Sequence, residues 1–391
     1  MNSLLDICDY VVTRTNIIEN YISTENMLPN KGGVCDTLKV PSGGIGTKYQ
    51  VGDILISNIR PYFKKIWQAD CEGACSTDVL CLRANENVDS RFLYYLLTQQ
   101  SFFDYVMSGT KGCKMPRGDK QQIMQWSIHL PSLVEQKKIA GVLSVLDAKI
   151  QVNRSINDNL EQQAQALYKS WFVDFEPFKN GKFVDSEQGL IPEGWRIGEF
   201  SEICDIIGGG TPSKSRTDFY CKNGIAWLTP KDLSVSKAKF TAKGAEDITV
   251  EGYNSSSAKL MPRGAVLFSS RAPIGYITIA KNEISTNQGF KSAVPRIAGT
   301  GYLYYYLKSN ISTIESKASG STFKEASGAL MKSLKVIVPP TQILNDFEKE
   351  IDALFRKQEL LDDEIINLAI MRDTLLPKLM SGELKINEID C

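Results

Sequence analysis

The sequence predicts an α+β fold: two tandem mixed α/β units separated by two long antiparallel coiled-coil helices, with a pseudo-two-fold internal repeat. Three observations predict it. First, residues 92–97 read Phe-Leu-Tyr-Tyr-Leu-Leu and residues 302–307 read Tyr-Leu-Tyr-Tyr-Tyr-Leu, 210 positions later. Second, shorter pairs fall at similar offsets. Ile7-Cys8-Asp9 answers Ile203-Cys204-Asp205, Gly52 and Arg60 answer Gly264 and Arg271, Ser76-Thr77 answers Ser285-Thr286, and Ser108-Gly109-Thr110 answers Ser319-Gly320-Ser321. Third, each half reaches proline (Pro131; Pro339-Pro340) and enters a heptad-patterned stretch. Self-similarity at one long period marks a duplicated unit.

The first unit spans residues 1–130. Residues 53–57 follow a glycine and read as a strand, and residues 91–106 read as an amphipathic helix closed by Gly109. Residues 131–175 form the first helix. Its seam is Ile139, Leu143, Leu146, Ile150, Asn153, Asn157, Leu160, Ala164, Leu167 and Trp171, alternately spaced by four and three. Residues 176–194 are a linker, because Pro177, Gly181, Gly189 and Pro192 prevent helix there. The second unit spans 195–338, with strands at 265–269 and 276–280 and a helix at 302–314. Residues 339–384 form the second helix, and 385–391 are a tail. That helix carries the seam Phe347, Ile351, Leu354, Gln358, Leu361, Ile365, Leu368, Arg372, Leu375 and Leu379. Asn153, Asn157, Gln358 and Arg372 interrupt the apolar stripes, a device that sets register at some cost in stability. Amphipathic helices packed on their own domains are the alternative. A helix of about 38 residues is ~57 Å long. If the helices pair antiparallel, the units sit at opposite ends of a rod and grip a two-part target at fixed spacing.

Composition narrows the function. No apolar run reaches the roughly 18–20 residues of a membrane helix. The start, Met1-Asn2-Ser3-Leu4-Leu5-Asp6, lacks the basic region and apolar core of a secretory signal. Nine cysteines without disulfide-like spacing read as buried reduced thiols, which fits the cytoplasm. The overall charge is zero, but its distribution is uneven. Residues 195–341 hold 19 basic and 11 acidic side chains, whereas residues 342–391 hold 6 and 12. A basic second unit permits local nucleic-acid binding that the total conceals.

Several chemistries lack their residues. His129 is the only histidine, in a β-like stretch at the first unit's edge, and reads as a core or boundary residue. Multi-histidine metal sites and most Ser-His or Cys-His nucleophiles are excluded by that count. No phosphate-loop motif occurs. The glycine runs 208–210 and 43–46 read as turns, or as places where backbone amides approach a phosphate beside Lys48, Lys214 and Arg216. Asp346, Glu348 and Lys349 resemble a nuclease triplet in composition but sit in the second helix, as surface charge.

What remains is basic loops. Residues 108–120 place Lys111, Lys114, Arg117 and Lys120 among glycines, and the second unit's counterpart ends in Lys324. Arg60, Lys64 and Lys65 follow a strand with Tyr62, Phe63 and Trp67 interleaved, and Arg271 follows the matching strand. Lys231 and Lys291 complete the candidate DNA-contacting set. Arginine pairs bidentately with guanine, whereas lysine more often meets phosphate. Each single residue is equally readable as a solvated charge.

Taken together, the chain resembles the specificity subunits of type I restriction–modification systems over essentially its whole length. The marks are the half-length duplication and the segments Ile191-Pro192-Glu193-Gly194-Trp195 and Leu130-Pro131-x-x-x-Glu135-Gln136. The close, Leu375-Leu376-Pro377-Lys378-Leu379-Met380-Ser381-Gly382-Glu383-Leu384, is a further mark. The first unit lacks its own Pro-x-Gly-Trp opening, and the second helix opens without Glu-Gln. The resemblance implies two target recognition domains reading a bipartite, asymmetric site in double-stranded DNA, with no catalytic residue and no cofactor on this chain. It implies two methyltransferase subunits using S-adenosylmethionine, and a restriction/translocase subunit using ATP and Mg, as partners. A self-sufficient nuclease or methyltransferase, and a coiled-coil adaptor that binds proteins, are the rival classes.

Overall fold

The computed structural model describes residues 2–16, 20–35, 44–112, 114–236, 238–320 and 324–386. The chain forms two compact units. One comprises Met1–Arg154 with Asp363–Cys391, and the other comprises Ser155–Asp362. Each unit therefore includes part of both long helices, Leu133–Phe172 and Thr341–Ser381.

In the first unit, a four-stranded antiparallel sheet runs in the order Cys8–Tyr10, Val79–Ala84, Ile54–Ser57, Ile66–Gln68. A second sheet runs Arg14–Asn16, Ile45–Tyr49, Gly73–Cys75, Tyr21–Ile22, its last pair parallel. The strand Ile54–Ser57 is buried along its whole length, its apolar residues Ile54, Leu55 and Ile56 filling both faces and Ser57 closing it. Helices Ser90–Leu97 and Gln100–Ser108 cover the first sheet with Phe92, Leu93, Phe102 and Phe103. Ile139, Leu143, Leu376 and Leu379 of the long helices complete that core.

The second unit repeats the plan. Its main sheet runs Cys204–Gly208, Lys291–Pro295, Val266–Ser270, Ile274–Ala280, Phe240–Thr241. Its smaller sheet runs Tyr220–Cys221, Asp247–Ile248, Ile225–Leu228, Ser285–Thr286, ending again in a parallel pair. The repeat extends to single bonds: the Cys8 thiol donates to Leu4 O, and the Cys204 thiol to Phe200 O.

The recurring tyrosine motif has a structural reason. Tyr95 donates to Asp147 Oδ2 at 2.7 Å, and Tyr305 to Glu161 Oε2 at 2.9 Å, so each fastens its domain to the first long helix. Each single helix expected around these motifs is two helices. The chain breaks at Thr98, whose hydroxyl bonds back to Tyr95 O, and at Asn310 between Thr300–Ser309 and Ile311–Lys317. The linker, expected as a loop, holds a hairpin of Phe183–Ser186 and Gly189–Pro192, turned by Gly189 in the left-handed region.

All twenty seam positions named above are buried or half-buried, including Leu146, Leu160, Leu167, Leu354, Leu361, Ile365, Leu368 and Leu375. In the first unit, Arg372 meets Asp147 at 2.7 Å and Asn153 donates to Glu364 at 2.9 Å. In the second unit, Asn157 donates to Asp362 at 2.6 Å and Gln358 to Asn157 O at 3.3 Å. In each unit the helix segments therefore run antiparallel. Gln136 of the Glu135-Gln136 pair is buried and accepts from Asp89 N–H at 2.9 Å, so it tethers the helix start inside its own unit.

Three expectations need correction. Cys35 is an exposed thiol rather than a buried one. His129, read as a core or boundary residue, is exposed, which removes the core alternative and leaves the boundary one. Glu348 is no surface charge, because it accepts from Gly301 N–H at 2.9 Å and caps the tyrosine-rich helix. Burial pushes its carboxyl above the ordinary carboxylate range.

Candidate nucleic-acid interface

In the first unit the strand Ile54–Ser57 leads into a loop that the basic segment 111–117 clasps. Arg60 N–H donates to Pro116 O at 2.8 Å, Gly118 N–H to Asn58 O at 3.2 Å, and Ile59 bridges Arg117. Lys111 and Arg117 exchange backbone bonds of 3.0 and 3.1 Å, which join the two ends of the segment; Cys113 between them lies outside the described residues. Arg60, Lys111, Lys114 and Arg117 thus share one loop cluster. Arg60 has a left-handed backbone (φ 51°), and its buried Nε lacks a hydrogen-bond partner. A strained non-glycine residue held by its surroundings is a feature of functional loops. Tyr62 and Phe63, exposed with ring centroids 4.6 Å apart, follow after the buried Pro61.

Other predicted cations are engaged elsewhere. Lys65 Nζ donates to Thr24 O at 2.7 Å, Lys64 to the Gln100 side chain, and Lys120 to the Tyr10 hydroxyl at 2.7 Å. Lys48 stands exposed on the second sheet, in the strand Ile45–Tyr49, rather than in the loop cluster. Arg117 pairs with Asp78 at 3.2 Å and Lys111 with Asp119 at 2.6 Å; both are exposed pairs that solvent screens.

In the second unit a groove of about 1440 Å³ opens beside the two sheets. Lys214, Lys222, Lys231, Lys243 and Arg271 line it, with Asp232, Glu246, Asn287 and Gln288. Among the described residues, none of these four lysines has a carboxylate partner. Asp232 is spent on internal bonds to Thr229 and to Ala245 N–H. Arg216 is bidentate to Asp218, at 2.9 and 2.6 Å, and so is not free. Lys291 and Arg271 both face Glu325, at 3.3 and 3.7 Å, and Lys324 beside it is exposed. The counterpart of loop 111–117 ends on Glu325, but Ser321-Thr322-Phe323 lie outside the described residues, as does Gly43 of the first glycine run.

Gly46, Gly209 and Gly210 of the glycine runs each face neighbouring backbone. A Cβ at Gly209 would lie 2.1 Å from Asn287 O, and one at Gly210 would lie 2.3 Å from Ala258 N. At Gly46 it would lie 2.9 Å from Cys75 O. These glycines let neighbouring backbone pack closely.

The structure also shifts the internal register. Ile59 and Arg271 make the equivalent bridges, to Arg117 and Glu325, while Arg60 and Ala272 share the left-handed backbone before a proline. Arg60 therefore matches Ala272, not Arg271. Loops of unequal length change the offset along the chain, so isolated identities paired in sequence slip by a residue or more. Lys222, Lys243, Asn287 and Gln288 escaped sequence reasoning because they come from separate segments without a motif.

Two segments, residues 10–162 and 192–367, match the family model described as the type I restriction modification DNA specificity domain. A curated relative, the type I restriction enzyme HindI specificity subunit of Haemophilus influenzae, is 26% identical, the match covering 93% of this chain and 94% of that one. The MjaIX specificity subunit of Methanocaldococcus jannaschii is 32% identical over 48% of this chain and 45% of its own. In fold, the chain is similar to the crystal structure of a type I restriction-modification system S subunit from M. genitalium. That likeness has a TM-score of 0.60 at 16% identity, covering 97% of this chain and 95% of that one.

Proposed function

The chain belongs to the type I restriction modification DNA specificity family, and from that premise we propose that it is the sequence-reading subunit of a type I restriction–modification complex. It reads a bipartite, asymmetric site in double-stranded DNA, one half-site per unit, and does no chemistry itself. The observation that carries this reading is the doubled family match, one in each half, with exposed cations in each. In the first unit the reading loop is the Arg60 and Lys111–Arg117 cluster. In the second it is the lysine-lined groove. Arginines at strand ends suit base edges, and the scattered lysines suit phosphates.

The long helices act as a ruler between the half-sites and dock two methyltransferase subunits and a restriction/translocase subunit. S-adenosylmethionine, ATP and Mg bind those partners, in the cytoplasm. Among the described residues no helix is long and apolar enough to cross a membrane.

The test is genome-wide adenine methylation in cells expressing this chain with its neighbouring methyltransferase subunit, compared with cells lacking it. One gapped, asymmetric motif should vanish with the chain. An unchanged pattern, with the methyltransferase demonstrably active, overturns the reading.

A further inference from the structure

The two units align hydrogen bond by hydrogen bond around one tripeptide. Ser76 N–H donates to Ile22 O at 2.8 Å, and Asn287 N–H to Leu228 O at 3.0 Å. Val79 N–H returns to Ser76 O at 3.0 Å, and Phe290 N–H to Asn287 O at 3.3 Å. Asn58 N–H donates to Asp78 O at 2.8 Å, and Ser270 N–H to Gly289 O at 2.7 Å. Ser76-Thr77-Asp78 is therefore the counterpart of Asn287-Gln288-Gly289, although Ser285-Thr286 is the segment that resembles it in sequence. Exposure agrees: Ser76 and Asn287 are half-buried, Thr77 and Gln288 exposed.

One shared backbone frame thus presents one outward position in each unit, threonine in the first and glutamine in the second. That is what two readers of different half-sites need: a common scaffold and unlike side chains at its tip. Gln288 lines the groove together with Lys214, Lys231, Lys243 and Arg271. Its Oε1 accepts from the Thr211 hydroxyl, which holds the amide in place. The neighbouring amide, Asn287, is committed to the frame, its Oδ1 accepting from Gly289 N–H at 2.8 Å. Gln288 is left to offer a donor beside an acceptor with a second lone pair. That pattern matches the N6 and N7 edge of adenine in the major groove.

We propose that Gln288 is a specificity-determining residue of the second unit, reading an adenine edge in its half-site, and that Thr77 holds the corresponding position in the first unit. The inference rests on the DNA-reading function proposed above. The experiment maps adenine methylation in cells carrying the full chain and its methyltransferase subunit, with wild type, Gln288→Ala, Gln288→Glu and Thr77→Ala compared.

Gln288→Ala should relax one A·T pair of one half-site, lowering discrimination there about tenfold to a hundredfold. The other half-site should stay intact. Gln288→Glu, of the same size and equally exposed, should move the preference at that pair toward cytosine, whose N4 amino group a carboxylate accepts from. Thr77→Ala should alter only the opposite half-site. A wild-type motif that stays unchanged in both Gln288 variants overturns this inference and leaves the DNA-reading function standing. Uniform loss at every position in Gln288→Glu overturns it as well. A wild-type chain that directs no gapped motif overturns the DNA-reading function, and the inference with it.

Discussion

Glu161 carries more interactions than its place in a heptad pattern reveals. Lys239 Nζ, Lys308 Nζ and the Tyr305 hydroxyl all converge on its carboxylate, and Lys239 also reaches Gln358 Oε1 at 2.8 Å. Lys239 lies 3.9 Å from the Phe355 ring centroid, an arrangement that favours a partly desolvated cation. Burial opposes ionisation of Glu161, yet Lys239 above all holds its carboxyl down to about 2, from an ordinary 4.5. A carboxyl lowered on folding stabilises the fold fully above its unfolded value and loses that contribution as pH falls through the folded one. The second unit should therefore lose stability progressively as pH drops from about 4.5 toward about 2. Glu161→Gln leaves two lysines without their anion and should destabilise the unit by about 3 kcal/mol at neutral pH. Urea titrations of the full chain and the variant at several pH values check both. An equal pH slope in the two proteins would exclude Glu161 as the titrating group. At this scale residue types were legible and partners were not. Arg216 and Lys65 looked as free as Lys231, and only the fold spends them on Asp218 and on Thr24 O. Arg60 stays a reading candidate on new grounds, its strained backbone and unpartnered Nε. Arg60→Ala should weaken discrimination at one half-site by about 1–3 kcal/mol. Equal weakening on all sequences, measured by competition with unrelated duplex, would make Arg60 a phosphate contact.

Elements were legible where periodicity alone decides them. The apolar run 54–56 and the two heptad seams needed no tertiary information. The breaks at Thr98 and Asn310 did, because nothing in the periodicity of those helices stops them; a hydroxyl bonding back to a carbonyl and a non-helical residue do. The polar seam residues show a second limit of pattern reading. Asn153 is fully buried, and its Oδ1 has no hydrogen-bond partner, although its amide nitrogen reaches Glu364. An unsatisfied buried acceptor costs about 1–3 kcal/mol. Asn153→Leu should therefore raise the melting temperature, by an amount equivalent to about 1 kcal/mol, since Glu364 keeps Lys149 at 3.5 Å. The cost should appear as lost register specificity between the helices. Calorimetry of the full chain checks the sign, and a lower melting temperature would mean that the Asn153–Glu364 bond outweighs the orphaned oxygen.

For the molecule as a whole, the duplication was the plainest statement in the sequence, and its residue-level register the most misleading. Short identities such as Arg60 with Arg271 align by resemblance, whereas the strands align by hydrogen bonds, and loops of unequal length separate the two. The same bonds locate a test of the ruler. Both long helices cross from one compact unit to the other, the first after Arg154 and the second after Asp362. Inserting one heptad at both places preserves the a/d pattern and every contact inside each unit. It lengthens each helix by about 10 Å, the rise of seven residues. If the helices set the distance between half-sites, the spacer of the methylated motif should grow by about three base pairs at 3.4 Å each, with both half-site sequences unchanged. An insertion in one helix only should abolish methylation, because it shifts one seam by a heptad against the other. Altered half-site sequences with an unchanged spacer would show that the helices position the partner subunits without measuring the DNA.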